Sequence, residues 1–186
     1  MPALLSGVDG GATIVRRIRP HQIQVLSLAA AIFLLDRVTK GLVATHMAIG
    51  QSIVLIPRVL DLTYILNSGA AFGVLAHRDL LFILVALLLL VGVLWVTFSR
   101  NELDRRLLWG LGLLAGGASG NLWDRMVAGQ VIDFIHFRYW PVFNFADAAI
   151  VIGMGLVLVD FWRRENGEAV RDEGGDQPNT DDSRSG

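Results

Sequence analysis

Apolar residues run in long stretches along the chain, and polar residues are confined to short breaks between them. Four stretches approach the length needed to cross hydrocarbon, roughly 20 residues for a core about 30 Å thick. They lie at about 22–45, 80–98, 107–122 and 145–162. The third is the shortest and is expected to tilt or to extend past these limits. Between the first two the pattern changes. Ser52-Ile53-Val54-Leu55-Ile56 and Leu60-Asp61-Leu62-Thr63-Tyr64-Ile65 are short β-prone runs separated at Pro57-Arg58. They predict a small sheet resting on the membrane surface, followed by a turn-rich run of small residues from Asn67 to Gly73. The last stretch is rich in Asp, Glu, Gly, Ser and Asn and is expected to be disordered. The predicted fold is an all-α membrane protein with four transmembrane helices and a small outward-facing β-rich subdomain. Its expected parts are a cytoplasmic extension over 1–20, a membrane core over 21–164 that includes the outward loop at about 46–79, and a disordered cytoplasmic tail over 165–186.

Charge placement orients this array. The net charge of −1 over 186 residues says little, because the charges cluster. Arg16, Arg17 and Arg19 precede the first stretch, Arg100, Arg105 and Arg106 separate the second and third, and Arg163 and Arg164 follow the fourth. Cytoplasmic loops carry the Lys/Arg excess, so both termini are expected in the cytoplasm and the loops 46–79 and 123–144 outside. The start has no apolar run preceded by positive charge, so no cleavable leader is expected and the first stretch is expected to stay as an anchor. The chain has no cysteine, which excludes disulfides, thiolate catalysis and cysteine metal sites. Gly112, Gly116 and Gly120 recur every four residues, the spacing that lets helices approach closely in lipid. Asp124 continues that row.

The chemistry gathers at the second outward loop. Asp124, Asp133 and Asp147 crowd its two sides. Carboxylates near hydrocarbon are costly and are functional-site candidates by default. Two that share a site cannot both ionise easily, which divides them into an acid and a base. Asp124 is followed by Arg125, an evident charge partner that suits a structural ion pair. Asp133 lies within Val131-Ile132-Asp133-Phe134-Ile135 and Asp147 within Phe145-Ala146-Asp147-Ala148-Ala149, surroundings that desolvate a carboxyl. Asp133 and Asp147 are therefore the favoured catalytic pair. Asn121 and Asp124, and likewise Asn144 and Asp147, stand three residues apart and would share a helix face. Each amide could orient its acid, and Asn144 could also cap the fourth helix. Asp36 and Lys40 stand one helical turn apart, as an ion pair, a brace for the site, or both. His21, His46 and His77 fall near segment ends. His136 has no second histidine at ligand spacing, and HExxH is absent, so no metal site is expected. Gly117-Ala118-Ser119-Gly120 matches the GxSG of rhomboid serine proteases, but the fourth stretch has no histidine to activate Ser119, which reads better as a packing residue.

Five ordered blocks resemble the lipoprotein signal peptidase family (signal peptidase type II). Asp36-Arg37-Val38-Thr39-Lys40 is similar to its D-x-x-[ST]-K segment, and Asn67-Ser68-Gly69-Ala70-Ala71-Phe72 to N-x-G-A-A-[FW]. Gly116 to Arg125 matches G-G-x-x-G-N-x-x-D-R, Gly129 to Phe134 matches G-x-V-x-D-F, and Phe143 to Asp147 matches F-N-x-A-D. The stretch between Asp133 and Phe143 is shorter than in many members. The resemblance implies an aspartic endopeptidase of the bacterial inner membrane that cuts prolipoproteins before a diacylglyceryl-modified cysteine. It places the catalytic pair on Asp133 and Asp147 and assigns Asp36, Lys40, Asn67, Gly69, Asn121, Asp124, Arg125 and Asn144 to binding or bracing. It implies no cofactor, no metal and no nucleic-acid partner; the expected partners are the lipidated substrates and membrane lipid, and the expected state is a monomer. A second class stays open on the residues alone, a helical scaffold or small transporter whose buried acids relay protons. Cleavage of a lipidated substrate separates the two.

Overall fold

The structure, a computed structural model, describes residues 18–69 and 79–174, of which 167–174 are described as backbone only. It is mostly helical with one small sheet. The elements follow in the order α1 (Pro20–His46), β1 (Ser52–Ile56), β2 (Leu60–Asn67), α2 (Asp79–Ser99), α3 (Arg105–Ala128), β3 (Val131–Phe137) and α4 (Phe145–Gly174). The run 70–73 and the N-terminal extension lie outside the described residues, apart from its last residues.

Each helix matches one apolar stretch, and two run further than the stretch that predicts them. The third extends at both ends, so its shortness in sequence came from the charged residues there, Arg105, Arg106, Asp124 and Arg125. The fourth continues past the expected boundary at 164 to Gly174. Glu168-Ala169-Val170-Arg171 carries no helix breaker, and a helix already nucleated propagates through such residues readily. By length and apolar composition, α2 and the 145–166 part of α4 are long and apolar enough to cross a membrane. The first and third helices carry the charged residues Asp36, Arg37, Lys40, Asp124 and Arg125 within their apolar runs. The outer faces are nevertheless apolar. Leu88 and Trp95 of α2 are 71% and 70% exposed, and only Val93 and Thr97 of that helix are buried. Leu34, Val38 and Leu42 of α1 face outward likewise. Apolar surface on this scale fits a lipid solvent.

The third helix is the hub, packed against each of the other three. Its glycines make this possible on two faces. Toward α1, a Cβ on Gly116 would lie 2.6 Å from the Ile32 Cβ and 2.7 Å from the Ala29 carbonyl. Toward α4, a Cβ on Gly110 would lie 3.0 Å from the Gly153 carbonyl. The row Gly112, Gly116 and Gly120 is thus the α1 contact, as its spacing predicts, and Asp124 extends it. A core of Val25, Val93, Leu107, Leu111, Leu114 and Ala115 fills the end where α3 begins.

The sheet lies at the opposite end. Its order is β1-β2-β3, antiparallel throughout. The two predicted strands form, and β2 continues to Asn67. The third strand was not foreseen: Val131–Phe137 pairs with β2 in a register that sets Asn67 against Val131 and Ile65 against Asp133. Gly129 starts it. With φ at +68° it ends α3 in the left-handed conformation, its N–H donating to the Arg125 carbonyl, and turns the chain back. Val43, Met47, Tyr64 and Phe134 pack the sheet onto the end of α1. The chain after β3 folds back along it. Phe143 exchanges main-chain bonds with Ile135 at 2.8 and 3.0 Å, which brings the next residue, Asn144, beside Asp133.

Candidate active site

The end of β3 and the start of α4 bring Asp133 and Asp147 to one cavity of about 430 Å³. Asp133 is 1% exposed and Asn144 is fully buried. Asn144 holds the N-cap of α4 and joins the two acids. Its side-chain oxygen accepts the Asp147 main-chain N–H at 2.9 Å, and its own main-chain N–H donates to Asp147 Oδ2 at 3.2 Å. This is a reciprocal capping box, with aspartate in the place usually held by Glu or Gln. Its side-chain nitrogen donates to Asp133 Oδ1 at 2.7 Å. The cap expected of Asn144 forms, while its side-chain amide, expected to orient Asp147, orients Asp133.

Every oxygen of the two acids accepts a bond from an amide. Asn67 Nδ2 donates to Asp133 Oδ2 at 2.8 Å, and Asn121 Nδ2 donates to Asp147 Oδ1 at 2.6 Å. Each amide is locked in that orientation by what its own oxygen accepts. Asn67 Oδ1 takes the Gly69 N–H at 2.9 Å. Asn121 Oδ1 takes the Lys40 ammonium at 2.9 Å and Asn144 Nδ2 at 3.1 Å. A proton held by either acid therefore has only the cavity to point into. Burial pushes the Asp133 carboxyl up to about 7, and the neighbouring Asp147 charge pushes the same way; the Asn67 and Asn144 amides and the Lys40 charge pull it back without cancelling the rise.

Asp124 faces away from this pair. It forms ion pairs with Arg37 and, at 2.8 Å, with Lys40, both on α1. The expected partner was Arg125, and that expectation is corrected. Consecutive helical residues point about 100° apart, so Asp124 and Arg125 serve opposite sides of α3. For the same reason Asn121 orients Asp147 and not Asp124. Arg125 instead lines the cavity, with its guanidinium 4.6 Å from the Phe82 ring centre and within 3.5 Å of the Gly69 carbonyl. Lys40 and Asp36 form the expected ion pair at 2.8 Å, both fully buried. Asp36 Oδ1 also accepts the Ala146 N–H at 3.2 Å, so this cluster holds the first turn of α4. Of the ten residues singled out, Asn67, Gly69, Asn121, Arg125, Asp133 and Asp147 line the cavity, while Asp36, Lys40, Asp124 and Asn144 support it from behind.

The rest of the cavity was missed. Phe82, Val85, Ala86 and Leu89 of α2 form one apolar wall, and the 140–143 segment forms another. The second helix is uniformly apolar, so nothing in its sequence distinguishes the wall from the lipid face. Trp140 is 65% exposed and lines the cavity, a tight-turn aromatic that could have been noticed. Ser119 has no histidine beside it: His21, His46 and His136 bond Thr97, Leu42 and Thr63 respectively, and His77 lies outside the described residues. Among the described residues, no cluster of three or more His, Cys, Asp or Glu is placed to hold a metal ion.

A family model described as signal peptidase (SPase) II matches residues 28–163. A lipoprotein signal peptidase of Pelotomaculum thermopropionicum is 48% identical over 130 residues, covering 70% of this chain and 86% of that protein. One from Desulfitobacterium hafniense is 45% identical over 131 residues, covering 69% and 85%. A bacterial membrane enzyme solved by the in meso method superposes with a TM-score of 0.72 at 30% identity, over 77% of this chain and 90% of that one. A second such structure gives 0.67 at 31%. The match spans all five motif blocks and both aspartates, and the chain belongs to the signal peptidase II family.

Proposed function

We propose that this chain removes the signal peptide from diacylglyceryl-modified prolipoproteins by aspartic hydrolysis, with Asp133 and Asp147 as the catalytic pair. One observation carries the assignment: among the described residues these two acids alone share the cavity, and neither has a cation as hydrogen-bonded partner. In this reading Asp147 is the base. The Asn121 side chain and the Asn144 main chain each donate an N–H to its oxygens, and it takes a proton from water. Asp133 is the acid. Its carboxyl, titrating near 7, gives its proton to the scissile carbonyl. Water adds, the tetrahedral intermediate collapses, and no covalent enzyme intermediate forms. The apolar wall of α2 suits the lipid chains of the substrate, and the polar side beside the sheet suits its peptide.

The same reading places all four helices across the bacterial inner membrane, as a monomer. Arg19 bonds the Arg100 carbonyl and Asn101, and Arg164 pairs with Asp104, so the basic residues collect at one end and the sheet and acids at the other. That supports cytoplasmic termini and an active site toward the outer face. Residues 1–20 are then an extension on the cytoplasmic side, 21–164 the protease core, and the chain beyond the membrane a cytoplasmic tail. The first and third helices can cross because their charges neutralise one another.

The test is cleavage of a diacylglyceryl-modified peptide by purified protein. Asp133→Asn and Asp147→Asn keep shape but cannot cycle a proton, so each should lose about three orders of magnitude or more in turnover while inserting normally. Near-normal turnover by a folded Asp133→Asn protein would remove it from the pair.

A further inference from the structure

Lys40 is fully buried and does not line the cavity, yet one bond separates it from the residue that holds Asp147. An ammonium has three N–H donors and no acceptor. Three oxygens surround it: Asp36 Oδ2 and Asp124 Oδ2 as ion pairs, each at 2.8 Å, and Asn121 Oδ1 as its hydrogen-bond acceptor at 2.9 Å. We propose that Lys40 is a positioning residue of the aspartate pair: its ammonium fixes the Asn121 amide so that Asn121 can only donate to Asp147, which marks Asp147 as the base. This rests on the pair assignment above.

The argument is geometric. Were the Asn121 amide turned over, its NH2 would face the ammonium, donor against donor. Its carbonyl would stand 2.6 Å from Asp147 Oδ1, acceptor against acceptor. That arrangement is tolerable only with a proton on Asp147, which would then no longer be a base. Asn144 also supports the present orientation, but its single NH2 is shared among Asn121, Ile132 and Asp133 at 3.1, 3.3 and 2.7 Å. The charge-assisted Lys40 bond is the stronger of the two.

The Lys40 charge reaches both acids, but it is offset by its own neighbours. Lys40 and Arg37 are balanced by Asp36 and Asp124, two against two. The other charged groups around Asp147 are Arg125 on α3 and Asp133 on β3, while α2 offers the cavity only apolar side chains. Removing Lys40 together with the charge of Asp36 keeps the sum at zero, so the variant removes the donor to Asn121 without changing the net charge of the cluster.

The experiment is the pH profile of lipidated-peptide cleavage by the full chain carrying Asp36→Asn and Lys40→Met together. The acid limb should move up by about one pH unit and kcat should fall at least about tenfold, with KM within about twofold. A merely structural Lys40 would lower thermal stability and leave the acid limb in place. Should the double variant fail to fold, Asn121→Asp keeps the ammonium's partner but presents Asp147 with an oxygen, and the same upward limb shift is expected. A wild-type acid limb in either folded variant overturns the proposal. If Asp133→Asn or Asp147→Asn stays active, the pair assignment has failed instead, which is a separate result.

Discussion

Two groups of buried acids lie on opposite sides of α3, a few residues apart in sequence, and they are built to opposite rules. Asp36 and Asp124 are held by cations, Lys40 and Arg37. Among the described residues, Asp133 and Asp147 accept bonds only from neutral amides. A buried carboxylate facing an ammonium has its charge compensated and gains nothing by changing protonation state. A carboxylate facing amides is solvated without being neutralised, so its proton remains negotiable. The residue type is the same; the partner decides whether it is structure or chemistry.

The sharpest way to break this contrast is to neutralise one acid from each group. Asp147→Asn should abolish cleavage with little change in melting temperature. Asp124→Asn should do the reverse in degree. It strands Arg37 and takes one of two carboxylates from the buried Lys40, and breaking such a buried pair costs on the order of 3 kcal/mol, visible as a lower melting temperature in detergent. Equal stability losses in the two variants would erase the distinction.

A methyl group probes the same boundary more gently. A Cβ on Gly120 would sit 2.5 Å from Asp36 Oδ2, so Gly120→Ala must displace the carboxylate that Lys40 holds. A loss of about 1–3 kcal/mol is expected from overpacking, measured by thermal melt. Gly41→Ala, where nothing lies within 4 Å, is the matched control.

The amide-held pair should also show in the pH dependence of stability. The Asp133 carboxyl is raised to about 7, so the folded protein keeps a proton that the unfolded chain has lost by then. Stability should therefore fall as pH rises from about 4 to 7, the range between the two states' pKa values. Asp133→Asn removes that penalty. Its melting temperature should match the parent near pH 4 and exceed it at pH 8. A parent melting curve flat across that range would show that Asp133 is not buried as a neutral acid.

The smallest effect is expected at Ser119. Ser119→Ala should cleave within a few-fold of the parent, since no histidine among the described residues reaches it; a true nucleophile would lose several orders of magnitude.

The acids were legible in the sequence because charge in an apolar stretch stands out, and their motifs fix their order. The helices were legible through length alone. What stayed hidden was pairing at a distance. Val131–Phe137 is rich in β-branched and aromatic residues, a local signal for a strand. Its partner β2 ends at Asn67, far back along the chain, and only that pairing sets Asn67 beside Asp133. Helical spacing suggested that Asn121 serves Asp124. The structure assigns it to Asp147, because a side chain on a crowded helix meets its neighbours in space before its neighbours in sequence. The cavity wall on α2 left no trace, since a uniform run of Leu and Val cannot say which face meets lipid.

Asn144 ties catalysis to folding. The bonds that start α4 are the bonds that align the two acids, and the residue making them is fully buried. In water, two carboxyl groups and a peptide would have to find their mutual alignment anew at each encounter, an entropic loss inside the activation barrier. Here that loss is settled once, when the helix end forms, and each later turnover begins from groups already aimed. Misalignment requires unwinding the first turn of α4, so thermal agitation short of local unfolding leaves the geometry of the pair intact.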